Sequence, residues 1–199
     1  MSFYKSIKYQ SKSSLYKEKG SKFIGYVRSC ETEDEAKEII EEWRNEHLQA
    51  VHVCYAYQLG VNQISYRYSD DGEPSNSAGA PIYGQIQSFG ITNVVVGVVR
   101  YYGGVNLGVG GLINAYRTAA KRVIEEAKII QKELEKSYRF YFDYTEMAFI
   151  LDEIKKLNIS IYKQHFKQDC YIEVIIKESE LHVLDKLNTK FHSLKTKEL

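Results

Sequence analysis

Apolar and polar positions over residues 21–28 alternate in the manner of a half-buried strand. The period then changes: Ala36, Ile39, Ile40 and Trp43 fall at i, i+3, i+4 and i+7, which predicts an amphipathic helix reaching about His47. Thr32, with Glu35 three positions on, predicts a capping box at its start, in which two side chains satisfy N–H groups that the first turn leaves unpaired. Residues 51–59 and 64–68 read as a strand pair around the turn-forming Gly60-Val61-Asn62. Residues 70–81 read as a loop, and Pro81 suits the first position of a short helix, where its missing N–H is no loss. Residues 93–100 are Val-rich and apolar on both faces, the pattern of a buried central strand. A glycine-rich loop over 103–111 then leads into a helix over about 111–128.

Beyond that helix the pattern predicts a strand over 134–142, a helix over 145–157 and strands over 159–166 and 170–177. Ser179 is placed to cap a helix running to about Lys190, and 191–195 are read as a closing strand. The order βαββαβ is that of a ferredoxin-like sandwich. Composition separates the same two parts, because all 13 Gly and both Pro lie at or before position 111. Two domains are therefore expected, 1–130 and 131–199, in an α+β chain.

With 199 residues, 44% hydrophobic and 27% charged, the composition is that of a folded globular protein. Three widely spaced Cys (Cys30, Cys54, Cys170) provide neither a disulfide framework nor a zinc ribbon. The first ten residues hold no apolar leader, and the longest apolar run, 94–99, is far short of the ~20 residues that span a bilayer. A cytoplasmic protein without a membrane partner is expected.

The net charge of +1 hides an asymmetry. Positions 31–46 hold eight acids and two bases, whereas the rest of residues 1–130 holds 13 bases and six acids. One acidic helix masks a basic remainder.

Two loops carry the candidate chemistry. Gly103, Gly104, Gly108, Gly110 and Gly111 lie between a strand and a helix, where glycine permits close backbone approach and a helix start offers unpaired N–H groups to an anion. Neither G-x-G-x-x-G nor the Walker pattern is completed, because Ile113 stands where a glycine is needed and no Gly-Lys-Ser/Thr follows. No nucleotide cofactor is expected. Asn114, Arg117 and Lys121 form one polar stripe on the following helix. The other loop, Asp70-Asp71-Gly72-Glu73-Pro74-Ser75, holds three carboxylates within four residues. They are read mainly as turn formers, with a metal site as the alternative and Arg67 as a partner that removes the need for a metal. His52 and Cys54 share a strand face near Asp70 and Asp71, an arrangement open to a nucleophilic thiol or to a small buried side chain.

At these residues the chain resembles the IMPACT family, also called the YigZ family. His52-x-Cys54-x-Ala56-Tyr57, DDGEPSNSAGAP at 70–81 and VVRYYGGVNLGVGGLINAY at 98–116 carry the resemblance. It covers about residues 15–128, and the tail looks like the small C-terminal domain of bacterial two-domain members. The resemblance implies an N-terminal ribosomal-protein-S5-domain-2-like domain, and a ferredoxin-like C-terminal domain similar to late domains of ribosomal elongation factors. Eukaryotic relatives are linked to translational control and associate with ribosomes. Two departures stand out. The family commonly has Gly-Thr where this chain has Asn76-Ser77, and it often has basic residues where Asn106 and Asn114 stand.

The expectation is a non-enzymatic protein that binds RNA, the ribosome or other translation machinery. Its surface is formed by Arg67, Arg100, Tyr101, Tyr102, Gly103, Gly104, Gly108, Gly110, Gly111, Asn114, Arg117 and Lys121, with residues 70–75 as a conformational loop. The turns flanking Asp71 and Gly104 are expected to converge in one shallow cationic recess. Two other readings stay open: a metal-dependent enzyme built on Asp70, Asp71 and Glu73, and a protein–protein adaptor using Tyr101, Tyr102 and the acidic helix.

Overall fold

The computed structural model describes residues 3–8, 13–167 and 169–199. Of the ten N-terminal residues read above for an apolar leader, Met1, Ser2, Tyr9 and Gln10 lie outside the described residues. The elements are β1 (Phe3–Ile7), β2 (Ser14–Glu18), β3 (Ser21–Ser29), α1 (Glu33–Glu46), β4 (His52–Leu59), β5 (Ser65–Ser69), α2 (Gly79–Phe89), β6 (Val94–Tyr101) and α3 (Gly108–Glu126). They continue with β7 (Ile129–Glu133), β8 (Glu135–Phe142), α4 (Met147–Lys156), β9 (Ser160–Phe166), β10 (Cys170–Lys177), α5 (His182–Lys190) and β11 (Lys195–Glu198). Two units result, Tyr4–Lys132 and Glu133–Leu199, with Phe3 grouped with the latter.

The larger unit is built on a five-stranded sheet ordered β2-β3-β6-β4-β5, with every neighbouring pair antiparallel. β6 is central because both of its faces are apolar. Val94, Val96 and Val98 join a core with α2 and α3, whereas Val95 and Val99 join a second core with α1. Gly97 lies under Trp43, and a Cβ there would come within 2.4 Å of the indole ring, so the seat of α1 requires glycine. The start of α1 departs from the predicted box by one residue. Thr32 Oγ1 accepts from the Glu35 N–H at 3.2 Å, but the Glu35 carboxylate accepts from the N–H of Glu31, not of Thr32.

α2 starts at Gly79, two residues ahead of Pro81, which still lies in the first turn where an N–H has no helical partner. α3 likewise starts three residues before the predicted position. Three further strands lie where none was predicted. β1 and β7 form a two-stranded sheet, and β2 lines the edge beside β3. β7 runs across the boundary expected between residues 130 and 131.

In the smaller unit the order is β11-β8-β10-β9, all antiparallel, which is the ferredoxin-like arrangement of a βαββαβ chain. Ile150, Ile154, Val183 and Leu187 of α4 and α5 pack on Phe140, Ile172, Val174 and Ile176. Two local expectations fail. Ser179 sits within a short 3₁₀ turn and does not cap α5, which starts after Leu181. Phe191 and Leu194 are buried in the core ahead of the last strand, which begins only at Lys195.

Candidate functional site

β5 and β6 each run antiparallel to β4, so both end at the same sheet edge, and the two loops leave from there. In the 70–75 loop every carboxylate has a partner within the protein. Asp70 acts as a remote cap for α2: Oδ1 accepts from the N–H groups of Ala78 (2.9 Å) and Gly79 (2.8 Å), and Oδ2 from that of Asn76 (2.8 Å). The helix has no capping side chain of its own at Ala78. Asp71, at φ +45°, accepts from the Val53 N–H (2.7 Å) and pairs with Arg44 (2.7 Å), which raises the pKa of that guanidinium further. The expected pairing of Arg67 with Asp70 or Asp71 is not made.

Glu73 turns inward. Its Oε1 accepts from the Arg100 guanidinium (2.5 Å) and the Tyr116 hydroxyl (2.7 Å). The side chains of Glu73 and Arg100 are 3% and 7% exposed, so the pair is out of water. Burial pushes the Tyr116 hydroxyl up, which keeps it a donor to Glu73. His52 Nδ1 lies 2.7 Å from the Asp71 carbonyl, so that nitrogen carries a proton; Nε2 is left 3.9 Å from Glu73. Cys54 donates to the Asp70 carbonyl at 3.0 Å, and burial raises its thiol pKa well above the ordinary value. A thiol held protonated in this way is a small core side chain, not an activated nucleophile. Among the described residues no three His, Cys, Asp or Glu side chains are grouped to hold a metal ion.

The glycine-rich segment is only partly a loop, because Gly108, Gly110 and Gly111 lie in the first turn of α3. Gly103 is required by close approach: its N–H donates to Ser21 Oγ, and a Cβ there would lie 2.0 Å from the Gly20 carbonyl carbon. Gly104 and Gly108 adopt φ of +84° and +71°. At the N-terminus of α3 no side chain among the described residues caps the helix, and its first turn holds no acid. Gly108, Val109 and Gly110 are exposed there. Gly110, Asn114, Arg117 and Lys121 then fall on one stripe of α3. All four are exposed, and Lys121 has Glu125 at 3.7 Å.

The expected surface thus separates into groups. Tyr102, Gly104, Gly108, Gly110, Asn114, Arg117 and Lys121 lie along the exposed loop and α3, with the Tyr102 hydroxyl donating to Asn106 at 3.2 Å. Arg100 lies beneath, held by Glu73 and with its guanidinium 5.5 Å from the Tyr102 ring centre, so it presents no free charge. Arg67 points to the opposite sheet face, since its neighbours Tyr66 and Tyr68 stack on Tyr83 of α2. Tyr101 turns toward α1, where the hydroxyls of Tyr26 and Tyr101 lie 2.6 and 2.8 Å from the two ring nitrogens of His47. That last group borders a pocket of about 200 Å³ lined by Arg44, His47, His52 and Asp71 among others. In the sequence Arg44 and His47 stand only as parts of an amphipathic helix. Arg44 pairs with Asp71 of the loop and His47 with Tyr26 and Tyr101 of β3 and β6, and such long-range pairings leave no local signal.

A family model for the Impact N-terminal domain matches residues 19–124, which include both loops and the whole sheet edge just described. The chain belongs to the IMPACT family. The IMPACT family member YvyE of Bacillus subtilis is 29% identical over 170 residues, covering 85% of this chain and 78% of that protein. The IMPACT family member YigZ of Escherichia coli is 34% identical over 132 residues, 65% of each chain. A crystal structure of a hypothetical protein superposes with a TM-score of 0.81 at 25% identity, covering 100% of this chain and 98% of that one. The two-unit α+β architecture is therefore shared along the full length.

Proposed function

We propose that this IMPACT-family chain is a non-enzymatic, cytoplasmic component of translational control that binds RNA or the ribosome through the start of α3. The observation that carries the reading is the exposed, uncapped N-terminal turn of α3, continued by Arg117 and Lys121 on the same stripe. Backbone N–H groups and the helix dipole favour an anion at such an end, and the two cations extend the favourable field along a phosphate chain. The acids of the 70–75 loop are turned to protein donors, Asp70, Asp71 and Glu73 alike. The same engagement leaves no carboxylate pair poised as acid and base, which favours binding over chemistry. The resemblance to eukaryotic relatives linked to translational control supports the choice of partner.

The reading is tested by binding of structured and single-stranded RNA to the full chain from low to physiological salt. Each phosphate contact contributes roughly 0.7–0.9 to the slope of log affinity against log salt. Arg117→Ala with Lys121→Ala is expected to weaken binding and to lower that slope by about 1.4–1.8. An absence of binding at low salt, or an unchanged slope in the double variant, overturns the reading.

A further inference from the structure

The sheet of the C-terminal unit carries its helices on one face only. Side chains alternate along a strand, so the open face is built from the residues between those of the core. The pairing registers set eight of them in two rows across all four strands. The first row is Lys195, Tyr141, Tyr171 and His165; the second is Lys197, Arg139, Glu173 and Lys163. Successive rows are two residues apart, roughly 6.8 Å.

The first row is a π layer edged by a cation. Tyr141 and Tyr171 have ring centres 5.9 Å apart, and His165 is stacked on Tyr171 at 5.1 Å and 22°. The Arg139 guanidinium lies 4.7 Å from the Tyr171 ring centre and donates to the Tyr141 hydroxyl at 3.2 Å, which joins the rows. Glu173 is the one acid of the eight. It is buried, accepts from Arg139 and has Lys163 at 3.5 Å, and these cations hold its carboxyl below the usual range. Its charge is spent inside the rows. Lys195 and Lys197 on edge strand β11 are exposed and have no ion-pair partner among the described residues, and Lys163 on the other edge strand is exposed too. The face therefore presents half-buried aromatic rings between cationic edges.

We infer that this open face binds single-stranded RNA, with bases against the Tyr141–Tyr171–His165 row and phosphates drawn to Lys195, Lys197 and Lys163. Four-stranded βαββαβ sheets with aromatic side chains on the open face suit single strands, because every base has a π face and edge cations track the backbone. A duplex hides its base faces and meets only the charge. The inference shares a ligand class with the proposed function but none of its residues.

The experiment uses the full chain and a fluorescein-labelled single-stranded oligouridylate, with anisotropy as the readout and an RNA duplex of equal charge as competitor. Stacking of one base contributes about 1–3 kcal/mol, so Tyr141→Ala or His165→Ala is expected to weaken binding at least about fivefold. Lys195→Glu with Lys197→Glu alters only exposed side chains of an edge strand. It is expected to weaken binding and flatten the salt dependence while the thermal melt stays unchanged. Crosslinks from 4-thiouridine RNA are expected on peptides that contain Tyr141, His165 or Tyr171. If the open-face variants all bind like the unaltered chain while Arg117→Ala with Lys121→Ala loses binding, the inference is overturned and the proposed function stands. If only the open-face variants lose binding, the inference holds and the α3 reading falls. Equal competition by the duplex, or no binding at low salt, overturns the inference.

Discussion

Glu73→Ala tests whether the loop after β5 is held down by a buried ion pair. Glu73 Oε1 is the acceptor for both Arg100 and Tyr116, and the side chains of the acid and arginine are only 3% and 7% exposed. Breaking a buried pair by removing one partner leaves the other charge uncompensated, at a cost of about 3–5 kcal/mol. Replacing both members by neutral residues of similar volume removes the desolvation penalty along with the attraction, and such exchanges are often close to neutral. Glu73→Ala is therefore expected to cost the N-terminal unit about 3–5 kcal/mol, and Glu73→Gln with Arg100→Met much less than the sum of its single variants. The assay is urea unfolding followed by tryptophan fluorescence. Trp43 is the only tryptophan of the chain and is 1% exposed in the core beneath α1, so the signal reports on this unit. A Glu73→Ala variant within about 1 kcal/mol of the unaltered chain, or additive effects in the double variant, would refute the argument.

Two further outcomes follow from backbone and burial. Asn76 adopts φ +60°, a region that Asn tolerates and glycine favours. Asn76→Gly is expected to leave the Trp43 unfolding midpoint nearly unchanged, whereas Asn76→Val is expected to lose about 1–3 kcal/mol. Burial pushes the Cys30 thiol from its ordinary 9.0 up to about 12, so the unfolded chain gives up this proton first. The resulting stability is fully present below pH 9 and lost as pH rises to about 12. The stability difference between the chain and Cys30→Ala should shift over that interval, and a difference constant with pH would count against it.

What was legible in the sequence was what local period controls. α1, β6, the β4–β5 pair and the βαββαβ order of the C-terminal unit are each written in a run of residues that must face one core or two. β1, β2 and β7 are short and lack the turn signal of Gly60-Val61-Asn62 that marks the equally short β5, and β1 and β7 are stabilised by each other across more than a hundred positions. The glycines of 103–111 were read for what they allow a ligand to do. Gly103 answers first to the backbone of Gly20, and three of the others lie in the opening turn of a helix. The acidic loop was opaque for the same reason: Arg44 finds Asp71, and Arg100 finds Glu73, each 27 positions away.

Those pairings also bear on what the charge count means. Outside the acidic helix, residues 1–130 hold 13 bases and six acids. Half of the acids are Asp70, Asp71 and Glu73, all taken up by protein donors. Of the bases, Arg100 is withdrawn by Glu73, and Arg28 is drawn to Glu42 of α1. Asp71 takes its cation, Arg44, from α1 itself, so that helix gives up one base beside the one acid, Glu42, that Arg28 takes. These three ion pairs take one acid and one base from the acidic helix and two of each from the basic remainder. A potential at the surface is set by the charges left unpartnered there. The division between the acidic α1 and the basic remainder that the sequence tally shows therefore survives the pairing, with the exposed Arg117 and Lys121 on its basic side.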